Sequence, residues 1–97
     1  MPEKMTLRQV VALDRLMMKW GINIHGAMML LHLLDCNHVL VKDAIAAIGI
    51  SHGAQMTRAL NGLEMAGLII REIAPEDRRS FLISITDLGR QAIGEIA

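Results

Sequence analysis

Gln55, Thr57, Arg58 and Asn61, in the stretch SHGAQMTRALNG, fall on one side of a helix drawn at 100° per residue from Ser51, together with Ala54. Met56, Ala59, Leu60 and Leu63 fall on the other side. The outer face is therefore small and hydrogen-bonding rather than laced with ion pairs, and its chemistry suits the major groove of a duplex. Gln and Asn can pair with adenine edges, Arg with guanine or phosphate, and small residues permit close approach. Ser51 is placed to cap the helix. His52 and Gly53 occupy the first turn, where outward-pointing N–H groups favour phosphate. The plain alternative is an ordinary solvated helix face.

A second concentration of chemistry lies in PEDRR, between LIIREIA and SFLISIT. Arg78 and Arg79 stand side by side, repel each other and gain nothing for folding. Asp77 can hydrogen-bond one guanidinium and fix its direction. An arginine held at the end of a narrow loop has the shape to enter a minor groove, where negative potential is concentrated. The competing reading is a polar turn with an incidental ion pair, worth about 0–1 kcal/mol.

Other reactive residues form no convincing set. His25, His32, Cys36 and His38 lie close in sequence, and His32 and Cys36 are spaced i, i+4. Zinc needs three or four ligands in tetrahedral array, and no recognised spacing is present. Nothing basic flanks Cys36 to activate its thiol. No nucleophile elbow or glycine-rich phosphate loop occurs, and the carboxylates are scattered. No metal, cofactor or catalytic activity is expected.

The elements that would position these residues follow from pattern. MTLRQVVALDRLMMKWG reads as a first helix, opened by a capping box of Thr6 and Gln9 and stopped at Gly21. Leu7, Val10, Val11, Leu13, Leu16, Met17, Met18 and Trp20 cover more than half its circumference, a stripe wider than one core contact needs. Arg8, Arg15 and Lys19 line the opposite side, as a solvated face or as flanking phosphate contacts. NIHGAMMLLHLLDCN reads as a second helix, HVLV as a short strand, and VKDAIAAIG as a short helix closed by Gly49. The helix from Ser51 stops at Gly67. Two strands follow, with Phe81, Ile83 and Ile85 alternating against Leu82 and Ser84 and anchoring the second strand to the core. A last short helix starts at Thr86, with Leu88, Ala92 and Ile96 on one side. Two short helices joined by GIS, with Ile50 plugging the angle between them, and then a hairpin, make the layout of a winged helix-turn-helix. The fold class is α+β: mostly helical, with a small antiparallel β-hairpin wing, in a single domain over residues 1–97.

Composition sets bounds on this reading. At 97 residues and 53% apolar, the chain suffices for one modest core. Trp20 and Phe81 are the only aromatic residues, so the core is aliphatic with eight methionines as filler, and the composition argues against a base-stacking platform for RNA or single strands. Ten basic residues balance ten acidic ones. That neutrality counts against nucleic acid, although local patches rather than totals set the contact. One cysteine fits a reducing compartment. No apolar run is long enough to span a membrane, and the N-terminus carries no export signal. The expected location is the cytoplasm.

The segment IAAIGISHGAQMTRALNGLEMAGLIIREIAPEDRRSFLISITDLGRQAI, Ile45 to Ile93, resembles the MarR-type winged-helix transcription regulators. LEMAGLI, PEDRRS and ITDLG carry the likeness in order and spacing. The resemblance implies a homodimer on palindromic double-stranded DNA, with one helix in the major groove and the wing in the minor groove. It assigns Gln55, Thr57 and Arg58 to helix contacts. Asp77 and Arg79 match the wing's Asp-x-Arg pattern, the arginine entering the groove and the aspartate steadying it. Arg78 reaches phosphate. Members of the family are usually longer, with more helix at both ends. Here the chain stops at Ala97, so the dimer is expected to form through the first helix, residues 6–20, and the last, residues 86–97. The usual effector pocket beside longer dimer helices leaves a small-molecule effector an open question. The runner-up is a winged-helix protein-interaction adaptor that does not bind DNA, motivated by the zero net charge and the apolar first helix.

Overall fold

The computed structural model describes residues 6–49, 53–76 and 80–95. The first helix, α1, runs Leu7–Trp20 and opens as its sequence dictates. The Gln9 N–H donates to Thr6 Oγ1 (3.2 Å), and the Thr6 N–H donates back to Gln9 Oε1 (2.9 Å). Two donors that a helix start leaves orphaned are thereby satisfied. Helix α2, Ile24–Cys36, is capped by Asn23, whose Oδ1 accepts from the Gly26 N–H (2.9 Å). Strand β1 is His38–Leu40, and Val41 already belongs to α3, Val41–Ile48. Helix α3 ends at Gly49, whose φ of 81° lies in the left-handed region that a side chain disfavours. The long helix α4 spans Gly53–Met65. Strands β2, Ile69–Ile73, and β3, Phe81–Ile85, form the hairpin, and α5, Asp87–Gly94, closes the fold.

The sheet is larger than a bare hairpin. Its order is β1-β3-β2, antiparallel throughout, with Val39 opposite Ile83 and Arg71 opposite Ile83 from the other side. Three strands with one covered face are stable where two are marginal.

Helix α2 is the centre of the molecule. Ala27, Met29, Leu30 and Leu33 have no exposed surface, and α1, α3, α4, α5 and the sheet all pack on it. Leu16, Met56, Leu60, Leu63, Leu68, Ile83 and Ile93 complete an aliphatic core with no buried charge among the described residues.

Two expectations about faces need correction. Phe81 does not anchor β3; it is 43% exposed, and only Ile83 and Ile85 reach the core. Phe81 sits opposite Ile73 at the far end of the hairpin, where the sheet has left the helices behind. In α5 the buried side is Gly89, Ala92 and Ile93, while Leu88 is exposed and Ile96 lies outside the described residues. The cap sets that phase. Thr86 Oγ1 accepts from the Gly89 N–H (3.0 Å) and donates to the Gly67 carbonyl (2.7 Å), tying α5 to the turn before β2.

Gly89 is needed for this junction. A Cβ there would collide with the Leu68 carbonyl oxygen and lie 2.8 Å from Ile85 Cγ1. Gly89→Ala would ordinarily strengthen a helix by about 1 kcal/mol. Here we expect overpacking to reverse the sign and cost roughly 1–3 kcal/mol. Urea unfolding of the two proteins measures it, and a raised midpoint for the variant would contradict the close approach.

Candidate nucleic-acid interface

The candidate interface is built from α4 and the hairpin that follows it. Helix α4 is two-sided for a reason legible in its residues. Met56, Ala59, Leu60 and Leu63 repeat at helical spacing and are buried, with Leu63 against Gly26 of α2. Burying that stripe leaves Ala54, Gln55, Thr57, Arg58 and Asn61 exposed on the outer side, as expected. Gly53 is the first residue of α4. Ser51, His52 and the inter-helix plug Ile50 lie outside the described residues, as do Asp77, Arg78 and Arg79 of the loop. Of the ten candidate residues, therefore, α4 brings Gln55, Thr57, Arg58 and Asn61 to one surface beside the base of the hairpin.

Asn61 is engaged in a way its sequence position does not announce. Arg71 of β2 donates through Nη2 to Asn61 Oδ1 (3.0 Å) and to Glu64 Oε1 (2.8 Å), both on α4. The Arg71 guanidinium carbon also lies 5.3 Å from the centroid of the Phe81 ring on β3. In the sheet, Arg71, Ile73, Phe81 and Ile83 share the face that looks toward α4, because directly paired residues point the same way. The ion pair is partly solvated, with side-chain exposures of 22% and 41%, so it contributes on the order of 1 kcal/mol. Its larger consequence is geometric: one side chain joins the outer face of α4 to both strands of the hairpin.

Arg71, Glu64 and Phe81 are the members that sequence reasoning missed. A signal was present, since Arg71 is the one basic residue in LIIREIA, and Asn61 and Glu64 stand three apart on one helix face. What could not be read was that β2 brings Arg71 back across that face. Lower down, Arg90 of α5 donates to Asn37 Oδ1, and the Asn37 carbonyl accepts from the Ile85 N–H (3.0 Å), which fixes the inner end of the sheet.

The side chains of the histidine and cysteine group do not converge. The Cys36 thiol donates to the His32 backbone carbonyl (3.3 Å), so the i, i+4 pair is joined through main chain rather than imidazole. Among the described residues no three His, Cys, Asp or Glu side chains converge on a point that could hold a metal. No helix of the described residues is long and apolar enough to cross a membrane.

Comparison with known proteins agrees with this geometry. The sequence pattern of the MarR family matches residues 26–81, more than half of the chain. A search among curated proteins found no match. Similar solved structures include a complex of Staphylococcus aureus MepR with DNA, at 20% identity and a TM-score of 0.74, covering 90% of this chain and 71% of that one. MarR itself superposes with a TM-score of 0.78 at 24% identity, covering 93% and 66%. Reduced AbfR of Staphylococcus epidermidis bound to DNA superposes with a TM-score of 0.73 at 24% identity, also covering 93% and 66%. The chain thus spans about two thirds of the length of MarR and AbfR. Identities this low establish the fold.

The division of α4 into two faces can be measured in the protein alone. Met56→Ala is expected to cost about 2–5 kcal/mol. Gln55→Ala and Arg58→Ala should stay within about 0.5 kcal/mol of the parent. Thermal unfolding of the three variants tests the assignment, and a large loss at Gln55 or Arg58 would show that this face is not free surface.

Proposed function

The chain belongs to the MarR family, and we propose that it is a transcription regulator that binds double-stranded DNA sequence-specifically as a homodimer. The observation that carries this reading is α4, which buries an aliphatic stripe and turns outward a face of Gln55, Thr57, Arg58 and Asn61. In this reading α4 enters the major groove, with Gln55, Thr57 and Arg58 at base edges. Ser51 caps the approach, and the N–H groups of His52 and Gly53 meet a phosphate. The hairpin carries Arg79 into the adjacent minor groove, steadied by Asp77, and Arg78 takes a phosphate beside it. MepR and AbfR form DNA complexes on the same fold, which supports the same use of these elements here. The protein regulates by occupying DNA rather than by catalysis, and it works in the cytoplasm.

Helix α1 supplies the surface for a second copy. Leu7 and Met18 are 80% and 77% exposed, and Val10 and Val11 are exposed beside them. Leu7, Val11 and Ala12 line a shallow depression of about 500 Å³ together with Arg8 and Arg15, which border the apolar stripe rather than lie opposite it. Aliphatic surface of this kind favours association by roughly 25 cal/mol per Å² removed from water. Helix α5 contributes less, because its Ala92 and Ile93 are already buried in the protein's own core and Leu88 remains as its exposed apolar residue.

Binding to random duplex DNA should fall steeply as salt rises, because phosphate contacts release counterions. A salt-independent response would favour a protein-interaction adaptor instead. At matched salt, Arg79→Ala should weaken binding about tenfold with folding intact, whereas Gln55→Ala should change which sequences are selected from a random pool. Val10→Glu should leave the fold unaltered and yield monomers in sedimentation velocity. A variant that still dimerised would remove α1 from the interface.

A further inference from the structure

Arg71 is not among the side chains assigned to DNA, yet it joins the two elements that the DNA reading uses. It sits in the middle of β2 with its side chain 22% exposed. Glu64 on α4 neutralises its charge at 2.8 Å, so it exerts little long-range pull on a phosphate. What it does is orient. A guanidinium carries only donors, so the Asn61 atom 3.0 Å from Arg71 Nη2 must be the amide oxygen. The other end of that amide, Nδ2, is left with two donors, on an exposed side chain and with no partner among the described residues.

An asparagine that reads adenine uses both ends of its amide, accepting from N6 and donating to N7. Asn61 has its oxygen committed to Arg71, so what it offers DNA is a pair of donors. A helix in the major groove and a wing in the neighbouring minor groove are separated by one sugar-phosphate strand. Asn61 and Arg71 join α4 to the hairpin, the two elements that on the DNA-binding reading lie on either side of that strand. A phosphate oxygen accepts and never donates, which matches the end of Asn61 that is presented.

We propose that Arg71 is a positioning residue that locks α4 to the hairpin and turns Asn61 into a donor for the phosphate backbone running between the two grooves. The proposal rests on the DNA-binding reading above. Within it, Asn61 contributes affinity and register but no sequence information, and Gln55 is left as the amide of α4 that can read an adenine with both ends.

The test uses the full chain, duplexes selected by the wild-type protein, and three variants: Asn61→Ala, Arg71→Met and the double variant. Circular dichroism and thermal unfolding establish which of them fold. Asn61→Ala should weaken binding about tenfold to every duplex alike, the behaviour of a lost phosphate contact. Arg71→Met should weaken it by a similar factor and flatten the preference for A·T over G·C at the wing positions, which a merely stabilising residue would not change. The double variant should be no weaker than the weaker single one, because the two residues act as one unit. Losses that multiply in the double variant would overturn the proposal. So would an Asn61→Ala effect confined to one base pair, and that measurement stands alone if Arg71→Met does not fold. Wild-type protein that binds duplex steeply with salt while both single variants match it would sink this proposal and leave the regulator reading standing. Wild-type protein that binds no duplex would sink that reading, and this one with it.

Discussion

The structure depends on the complete burial of one side of α2. Ala27, Met29, Leu30 and Leu33 have no exposed surface, and the other four helices and strands β1 and β3 pack against this helix. The chain has almost no aromatic residues with which to fill space, so the fit is made by leucine, isoleucine and methionine around a helix that is apolar over most of its circumference. A core of this kind tolerates no stray charge, and none is buried among the described residues. The polar chemistry is thereby pushed outward, onto the far side of α4 and along the hairpin. The candidate interface is, in that sense, a by-product of where the hydrophobic stripe of α4 has to go.

The hairpin would be poorly placed by the core alone, because its outer half leaves the helices. Two polar links hold it. At the inner end, Thr86 bonds both the Gly67 carbonyl and the first turn of α5, and Asn37 bonds Ile85 and Arg90. Midway along the hairpin, opposite Ile83, Arg71 bonds Asn61 and Glu64 and reaches outward over Phe81. Each bond is modest in energy, but together they remove the hinge that a free two-stranded ribbon would have. A recognition helix and a wing must meet two grooves of one rigid duplex at once, so fixing their mutual angle matters more than adding charge. This also makes sense of a neutral protein as a DNA partner. Its cations need only be local, and Arg71, which is tied to a carboxylate, is not one of those available to the backbone.

Much of the architecture could be read before any coordinates. The capping box of Thr6 and Gln9, the left-handed stop at Gly49, the buried stripe of α4 and the period of two in β3 all depend on contacts a few residues apart, so local pattern is enough to find them. The readings that failed depended on distance. Phe81 has the right parity for the core but lies beyond its edge, because parity says which face a residue shares and not how far along the strand the core extends. In α5, the periodicity put Leu88 on the same side as Ala92, yet Ala92 is buried with Gly89 and Ile93 while Leu88 is exposed. The close approach of Leu68 and Ile85 to Gly89 sets that phase.

The sequence by itself determined the elements, the stripe that each helix buries and the outward face of Gln55, Thr57, Arg58 and Asn61, because burial of apolar side chains at helical spacing leaves one side for everything else. The likeness to MarR-type regulators was also written there, in LEMAGLI, PEDRRS and ITDLG. Only the tertiary structure decided what Asn61 has to offer. Ten residues separate it from Arg71, with a helix end and a turn between, and no local rule says that the two will meet. Once β2 pairs with β3 and the sheet packs beside α4, a donor-only guanidinium faces the amide and fixes which end it turns outward. Hydrogen-bond capacity belongs to the residue; its direction is set by the partner that folding supplies.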